Sequence, residues 1–328
     1  MSIAKRKLYL FLRIFISLSL IGLLFWMMRG DLGRIVLTIK NANLIFLIFA
    51  FLLYVFAVVI MGLRLIKVLS VQDIRLTIKE GTYLCFLGYF FNNFFPTSIG
   101  GDVIKAYYAG KKFNRKGAAF SGVLMDRLLA MLPFTLIPTC ALVFMYKKID
   151  NPAIIYFVAT MFVLTLLLLV ILLNKRIALL FSFLIKPFKS KGIYQKIIKA
   201  YDSLNIYRHH RIVLAWSFSL SSISQVLFVI SFFFLARSAG VDNVQLGIFF
   251  LLVPIVGVIA MLPSVNGLGV RETGIVYMFK DYIPASTAFA LSLLVLAALL
   301  GLSLIGAFIY AFKKDIYRFK PEPEGEIL

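Results

Sequence analysis

Charged residues, cysteines and histidines are scarce in this chain. Only 15% of its 328 residues are Asp, Glu, Lys or Arg, whereas soluble domains average about 25%. The two cysteines, Cys85 and Cys140, lie far apart in apolar runs, and the two histidines are adjacent, at His209 and His210. These scarcities exclude a soluble globular fold and a disulfide scaffold, and they argue against a metal site.

Apolar residues and basic charge are what the chain has in excess. Hydrophobic residues make up 62% of it, and the mean hydropathy is +0.96. Lys and Arg number 35 against 14 Asp and Glu, so the formal net charge is +21. In a membrane protein such an excess indicates that Lys and Arg are placed unequally on the two sides of the bilayer. Nucleic acid is therefore not needed as a partner to explain the charge.

Several apolar runs are long enough to cross a bilayer, which takes about 20 residues in a helix. The first follows Lys5-Arg6-Lys7 and reaches Met28 without a small-x-small cleavage pattern, so we interpret it as a retained span and not as a signal peptide. The candidate spans are 8–28, 43–62, 118–146, 152–173, 212–236 and 285–312.

Two further apolar runs, 81–95 and 246–262, each lead into a stretch rich in Pro and Gly. If both are re-entrant hairpins, near 81–110 and 246–281, 26 Lys and Arg fall on the side of the N-terminus and 8 on the other. The positive-inside rule then places both termini in the cytoplasm. Eight plain spans remain the alternative.

The two hairpins resemble each other. Each contains Pro-x-x-x-Gly, from Pro96 to Gly100 and from Pro263 to Gly267, and each has an acidic residue soon after. In the predicted topology they enter the membrane from opposite sides, as in an inverted repeat whose broken helices meet around a substrate site. The expected fold class is an all-α polytopic membrane protein with about six full spans and two re-entrant helical hairpins.

The polar segments are short. Apolar residues recur at helical spacing near 189–206, which predicts an amphipathic helix on the cytoplasmic face, held by anionic headgroups. We expect one transmembrane domain over 1–316 and a polar tail over 317–328. No segment is long enough for a soluble catalytic domain.

Charged residues within a span are costly and usually face a cavity or a partner. Asp126 and Arg127 lie about 13 Å into the span 118–146. Because adjacent helical residues point about 100° apart, each is expected to have its own partner, and Arg271, Glu272 and Asp102 are the candidates. These charges form either a structural ion-pair network or part of a transport site.

The hairpins offer a site for a lipid headgroup. A helix that begins inside the membrane presents free N–H groups that suit a phosphate, and glycine permits close approach and positive φ. Tight helix packing is the other interpretation of these glycines, and membrane anchoring is the other interpretation of Lys105, Tyr107 and Tyr108. The candidate headgroup residues are Asn93, Gly100, Gly101, Asp102, Lys105, Asp126, Arg127, Asn266, Gly267, Gly269, Arg271 and Glu272.

Three ordered blocks resemble one known family. They are Asn93-x-x-Pro96-x-x-x-Gly100-Gly101-Asp102-x-x-Lys105-Ala106-Tyr107, then Asp126-Arg127-Leu128, then Pro263-x-x-Asn266-Gly267-x-Gly269-Val270-Arg271-Glu272. They are similar to the signature blocks of the lysylphosphatidylglycerol synthase transmembrane region, also called the flippase-like domain family. The resemblance covers roughly 8–312.

The resemblance implies an inner-membrane protein related to the lipid-translocating half of the aminoacyl-phosphatidylglycerol synthases. In those enzymes a separate C-terminal domain transfers the amino acid, and the chain printed here stops at Leu328, so lysyltransferase activity is not expected. No Walker A, Rossmann or HExxH motif occurs in the sequence, and no catalytic residue or cofactor is predicted.

Two functions follow as hypotheses. In the first, the protein moves a phospholipid or another anionic or aminoacylated lipid, such as a polyprenyl-phosphate lipid, across the cytoplasmic membrane. In the second, it is a non-transporting membrane partner of a separately encoded lipid-modifying enzyme, a lysyltransferase or a glycosyltransferase.

Overall fold

A computed structural model describes residues 15, 17–94, 100–149, 151–173, 206–262 and 264–312. Eleven helices and no strands are found in these ranges. The helices are α1 (Ser17–Met27), α2 (Leu32–Lys40), α3 (Leu44–Ser70), α4 (Ile78–Asn92), α5 (Gly100–Lys112), α6 (Lys116–Met145), α7 (Pro152–Leu173), α8 (Arg211–Ser238), α9 (Leu246–Ile259), α10 (Val270–Phe279) and α11 (Ala285–Phe312).

Four of these helices, α3, α6, α8 and α11, are long and apolar enough to cross a membrane. They coincide with four of the six predicted spans, so the all-helical, polytopic membrane class is confirmed. The predicted spans 8–28 and 152–173 are only partly covered by described side chains. The predicted amphipathic helix 189–206 and the tail 317–328 lie outside the described residues, apart from a short 3-10 turn that begins at Ile206.

Two pairs of short helices occupy the positions of the predicted hairpins. Helices α4 and α5 have 15 and 13 residues, and α9 and α10 have 14 and 10. At about 1.5 Å per residue none exceeds about 23 Å, which is less than the roughly 30 Å of a bilayer core. The two helices of each pair pack against each other. These lengths are what re-entrant hairpins require, and their inverted relation stays a prediction.

Helices α3 and α8 form the most extensive helix pair. Small residues line the buried face of α8 at intervals of seven, at Ser217, Ser224, Ser231 and Ser238. Small side chains let helix backbones approach closely, which is how helices associate in lipid. The hydroxyls of the last three donate to carbonyls one turn back, so each of these three hydroxyls is buried with a hydrogen-bond partner.

The predicted charge distribution needs a correction. It assigned Arg64 and Lys105 to the cytoplasmic face and Arg271 to the other, but all three are buried in the protein. The span predicted to end at 62 continues as α3 to Ser70 and carries Arg64 inside it. Without these three residues the bias is 24 against 7, so the predicted orientation is unchanged.

Cysteine labelling tests the two-hairpin topology. With Cys140 and Cys85 replaced by alanine, we expect Lys111→Cys and Lys280→Cys to react with an impermeant maleimide from opposite sides of the membrane. Both positions are exposed, so accessibility does not limit the reaction. Labelling of both from the same side contradicts the two-hairpin topology.

Candidate functional site

Asp126 of α6 is bound by an arginine of α3. The Arg64 Nε donates to Asp126 Oδ1 at 2.6 Å, and Nη2 donates to Oδ2 at 3.0 Å. A further Arg64 N–H reaches the hydroxyl of Ser221 on α8 at 3.1 Å. Both charged side chains are less than 5% exposed. This bidentate pair therefore joins three of the long helices in the interior of the protein.

Arg127, the neighbour of Asp126, points to a different helix. Its Nη1 lies 2.5 Å from Oδ2 of Asp102 on α5, and the other oxygen of Asp102 accepts from Lys105 at 3.0 Å. Separate partners for Asp126 and Arg127 were predicted, and the structure pairs Arg127 with Asp102, one of the three candidates. The prediction for Asp126 was wrong, because its partner is Arg64 and none of the three candidates.

Arg271 and Glu272 pair with each other at the start of α10. Two guanidinium nitrogens of Arg271 donate to one carboxylate oxygen, at 2.5 and 3.1 Å. The other oxygen accepts the N–H of Gly269 at 2.6 Å. The carboxylate thus occupies a position at this helix N-terminus that was predicted to suit a phosphate.

The two hairpins meet at their breaks. The Asn266 side chain, between α9 and α10, donates to Oδ1 of Asn93 at the end of α4, at 2.7 Å. The Asn93 amide in turn donates to Ser303 of α11 at 2.6 Å. At the start of α5 the N–H of Gly101 donates to Oδ1 of Asn92 at 2.7 Å. Side-chain amides therefore link the two breaks, because an amide can form hydrogen bonds with backbone groups as well as with other side chains.

The candidate glycines serve two different purposes. Gly100 and Gly101 are buried in α5, and a Cβ on Gly101 would overlap the carbonyl oxygen of Gly88 on α4. Gly267 and Gly269 instead have φ of +79° and +81°, in the left-handed region that glycine adopts most readily. Close helix packing thus accounts for Gly101, and backbone conformation accounts for Gly267 and Gly269.

Replacing Gly269 by alanine is expected to destabilise the protein by about 2 kcal/mol or more, because a left-handed residue with a Cβ costs about 1–2 kcal/mol and the new Cβ would lie 2.8 Å from the carbonyl oxygen of Ser17. Gly240→Ala is the matched control, since φ there is +79° and nothing lies within 4 Å of a Cβ. Thermal unfolding in detergent measures both. Equal losses would contradict the role of the Ser17 contact.

These ion pairs surround two adjoining cavities of about 230 and 240 Å³, which together we call the chamber. Five residues line both cavities: Met61, Arg64, Tyr89, Ala130 and Phe134. Among the described residues that line the chamber or pair with its lining, four are basic and three acidic. They are Arg64, Lys105, Arg127 and Arg271, against Asp102, Asp126 and Glu272. The described residues therefore give the chamber a formal excess of one positive charge.

Lys105, for which membrane anchoring was an alternative, lies inside the protein. Its stem crosses α4 at Gly88, where a Cβ would lie 2.7 Å from the lysine Cε. Tyr107 is half exposed and does not line the chamber. Three further site residues were not predicted from the sequence: Arg64, Ser221 and Asn92. Arg64 lies near the end of a helix-length apolar run, where the sequence does not distinguish it from a flanking basic residue.

Similarity to one known family covers most of the chain. The family described as "Lysylphosphatidylglycerol synthase TM region" matches residues 10–306. The chain belongs to this family. No curated protein and no solved structure matches it.

In this member of the lysylphosphatidylglycerol synthase TM family, the residues of the three signature blocks converge in space. Block one supplies Asp102 and Lys105, block two supplies Asp126 and Arg127, and block three supplies Arg271. In the described part of the chain no group of three or more His, Cys, Asp or Glu could hold a metal ion. The three blocks therefore line a charged, partly apolar chamber that is bounded by both hairpins.

Proposed function

We propose that the protein translocates an anionic lipid across the cytoplasmic membrane, with the headgroup passing through the chamber. The single observation that carries the proposal is the excess of positive charge at the chamber, four basic groups against three acidic ones, of which all but Asp102 and Arg127 are buried. An unbalanced charge away from water is costly. A phosphate that enters the chamber balances it, so the chamber is suited to a phospholipid or a polyprenyl-phosphate headgroup.

The ion pairs divide into a fixed group and an exchangeable group. Arg64 and Asp126 are almost fully buried and joined at two atoms, so we assign them to holding α3, α6 and α8 together. Asp102, by contrast, is shared by Lys105 and Arg127, and the Asp102 and Arg127 side chains are 20% and 25% exposed. An entering phosphate can replace the carboxylate as the partner of Arg127 while Lys105 still neutralises Asp102. Arg271, which lines the other cavity, offers a second guanidinium.

Reconstitution tests this proposal. Liposomes that contain the purified protein and fluorescent phosphatidylglycerol, phosphatidylcholine or polyprenyl phosphate are treated with an external reductant, and the rate at which inner-leaflet label becomes accessible is measured. We expect at least a tenfold faster exchange of the anionic lipids than in empty liposomes. Arg127→Gln should lower the rate at least fivefold.

Arg115→Gln is the matched control for Arg127→Gln. Arg115 also pairs with an aspartate, Asp73, but that pair is solvent-exposed, so the control should exchange lipid at the wild-type rate. Exchange at the empty-liposome rate by folded wild-type protein, for every lipid, would contradict translocation. It would favour a non-transporting partner of a lipid-modifying enzyme.

A further inference from the structure

A groove on the surface of the protein lies between α6 and α9. It has a volume of about 360 Å³ and no charged side chain in its lining. Most of its lining is apolar and aromatic: Leu136, Ile137, Cys140, Phe144, Gly247 and Phe250. Phe144 is 85% exposed, and Cys140 is exposed as well. In a membrane, a groove of this kind faces lipid chains and not water.

The groove and the chamber are lined by different residues of the same two helices, α6 and α9. The charged residues Asp126 and Arg127 line one end, Ala130 and Phe134 line the middle, and the groove begins at Leu136. From Arg127 to Phe144 the distance along the helix is about 26 Å. The opposite wall is α9, which contributes Val253 and Gly257 to the chamber and Phe250 to the groove. The charged chamber and the apolar groove thus follow one another along a single seam between α6 and α9.

We propose that this seam is the lateral portal of the chamber and that the groove binds the acyl chains of the lipid whose headgroup occupies the chamber. The inference rests on the proposed function and adds to it the side from which the lipid enters. A charged cavity and an apolar surface groove along the same helix pair fit one molecule with a charged head and apolar chains. Neither a soluble anion nor an apolar compound would fill both parts.

Two large side chains of α6 lie over glycines of α9 and close the seam. A Cβ on Gly257 would lie 2.5 Å from the ring of Phe134, and a Cβ on Gly247 would lie within 3.2 Å of three atoms of Met145. Phe134 also lines both cavities of the chamber. Along α6 it therefore lies between the charged residues of the chamber and Leu136, where the groove begins. Met145 is flexible and can move aside without displacing the helix.

A reversible disulfide tests the portal. An ideal Cβ at position 247 lies 3.2 Å from Met145 Cγ, so the two Cβ atoms are no more than about 4.7 Å apart, close to the range for a disulfide. The variant is Met145→Cys with Gly247→Cys, in a background with Cys140→Ala because Cys140 lines the same groove. Exchange of fluorescent phosphatidylglycerol is measured before and after oxidation in one liposome preparation.

The expected result is at least a tenfold lower rate in the oxidised protein and recovery after reduction. If the oxidised and reduced proteins exchange lipid equally fast, the portal is wrong while the proposed function stands. If folded wild-type protein matches empty liposomes, the proposed function itself fails.

An increase in the lipid exchange rate gives a second test, because loss of folded protein would lower that rate. Phe134→Ala removes the ring over Gly257, and we expect two- to tenfold faster exchange of phosphatidylglycerol than in wild type. Leu300→Ala is the matched control, because Leu300 is 48% exposed and lines neither the chamber nor the groove, and its rate should equal that of wild type. An unchanged or lower rate in folded Phe134→Ala would overturn the role of Phe134 as the closing side chain.

Discussion

Replacing Arg64 by alanine is expected to lower the free energy of unfolding by about 3–5 kcal/mol, since removal of one partner leaves a buried charge without compensation. The Asp126 side chain is only 4% exposed and receives two hydrogen bonds from Arg64. The shift of the thermal unfolding midpoint in detergent measures the loss. We expect it to be among the largest single-residue effects in the described chain.

The double variant Arg64→Leu with Asp126→Leu shows how much of the loss in Arg64→Ala comes from the unpaired buried charge and how much from loss of the ion pair itself. Because no charge then remains buried and unpaired, most of the lost stability should return. Arg115→Ala removes the exposed pair with Asp73 and should cost no more than about 1 kcal/mol. A single variant Arg64→Ala as stable as Arg115→Ala would contradict the structural role of the buried pair.

Replacing Gly101 by alanine is expected to be the second large effect. The new Cβ would overlap the backbone of Gly88 on the paired helix, and backbone cannot rotate away as a flexible side chain can. Helices α4 and α5 must then separate, which shifts Asp102 and Lys105 relative to Arg127. Overpacking of this kind costs about 1–3 kcal/mol, and lipid exchange should fall by at least tenfold.

Gly117→Ala is the control for this substitution. Gly117 is exposed near the start of α6, and nothing lies within 4 Å of a Cβ there, so stability should stay within about 0.5 kcal/mol of wild type. Unfolding and lipid exchange are measured on both variants. Wild-type behaviour of Gly101→Ala would show that the close approach of α4 and α5 is not needed.

Much of the fold was predictable because a helix that crosses a bilayer needs a run of about 20 apolar residues. Apolar runs of helical length gave four of the long helices, and the Pro-x-x-x-Gly repeats marked both breaks between short helices. That Asp126 and Arg127 have separate partners followed from two rules, namely that charges inside a span need partners and that adjacent helical residues diverge. The contact of Asn93 with Asn266 fits the expectation that the two breaks meet.

Other parts of the site required the three-dimensional structure. Arg64 lies close to the end of its apolar run, where hydropathy and the positive-inside rule both treat an arginine as a flanking residue. Only the packing of α3 on α6 shows that Asp126 faces it. Likewise, nothing in the sequence sets the register that brings Gly88 against Gly101. The mutual pairing of Arg271 and Glu272 depends on side-chain rotamers, which sequence spacing does not determine.

The central claim is that excess positive charge in the chamber selects an anionic headgroup. Lys105→Met tests it most directly, because methionine keeps a long side chain against Gly88 while the chamber becomes neutral and Asp102 keeps Arg127 as its partner. The measurement is the ratio of exchange rates for phosphatidylglycerol and phosphatidylcholine in the same liposomes. The account predicts a ratio of at least five for wild type, where a tenfold ratio corresponds to about 1.4 kcal/mol, and a ratio near one for Lys105→Met. An unchanged ratio in the variant, or no exchange by folded wild-type protein above that of empty liposomes, would contradict it.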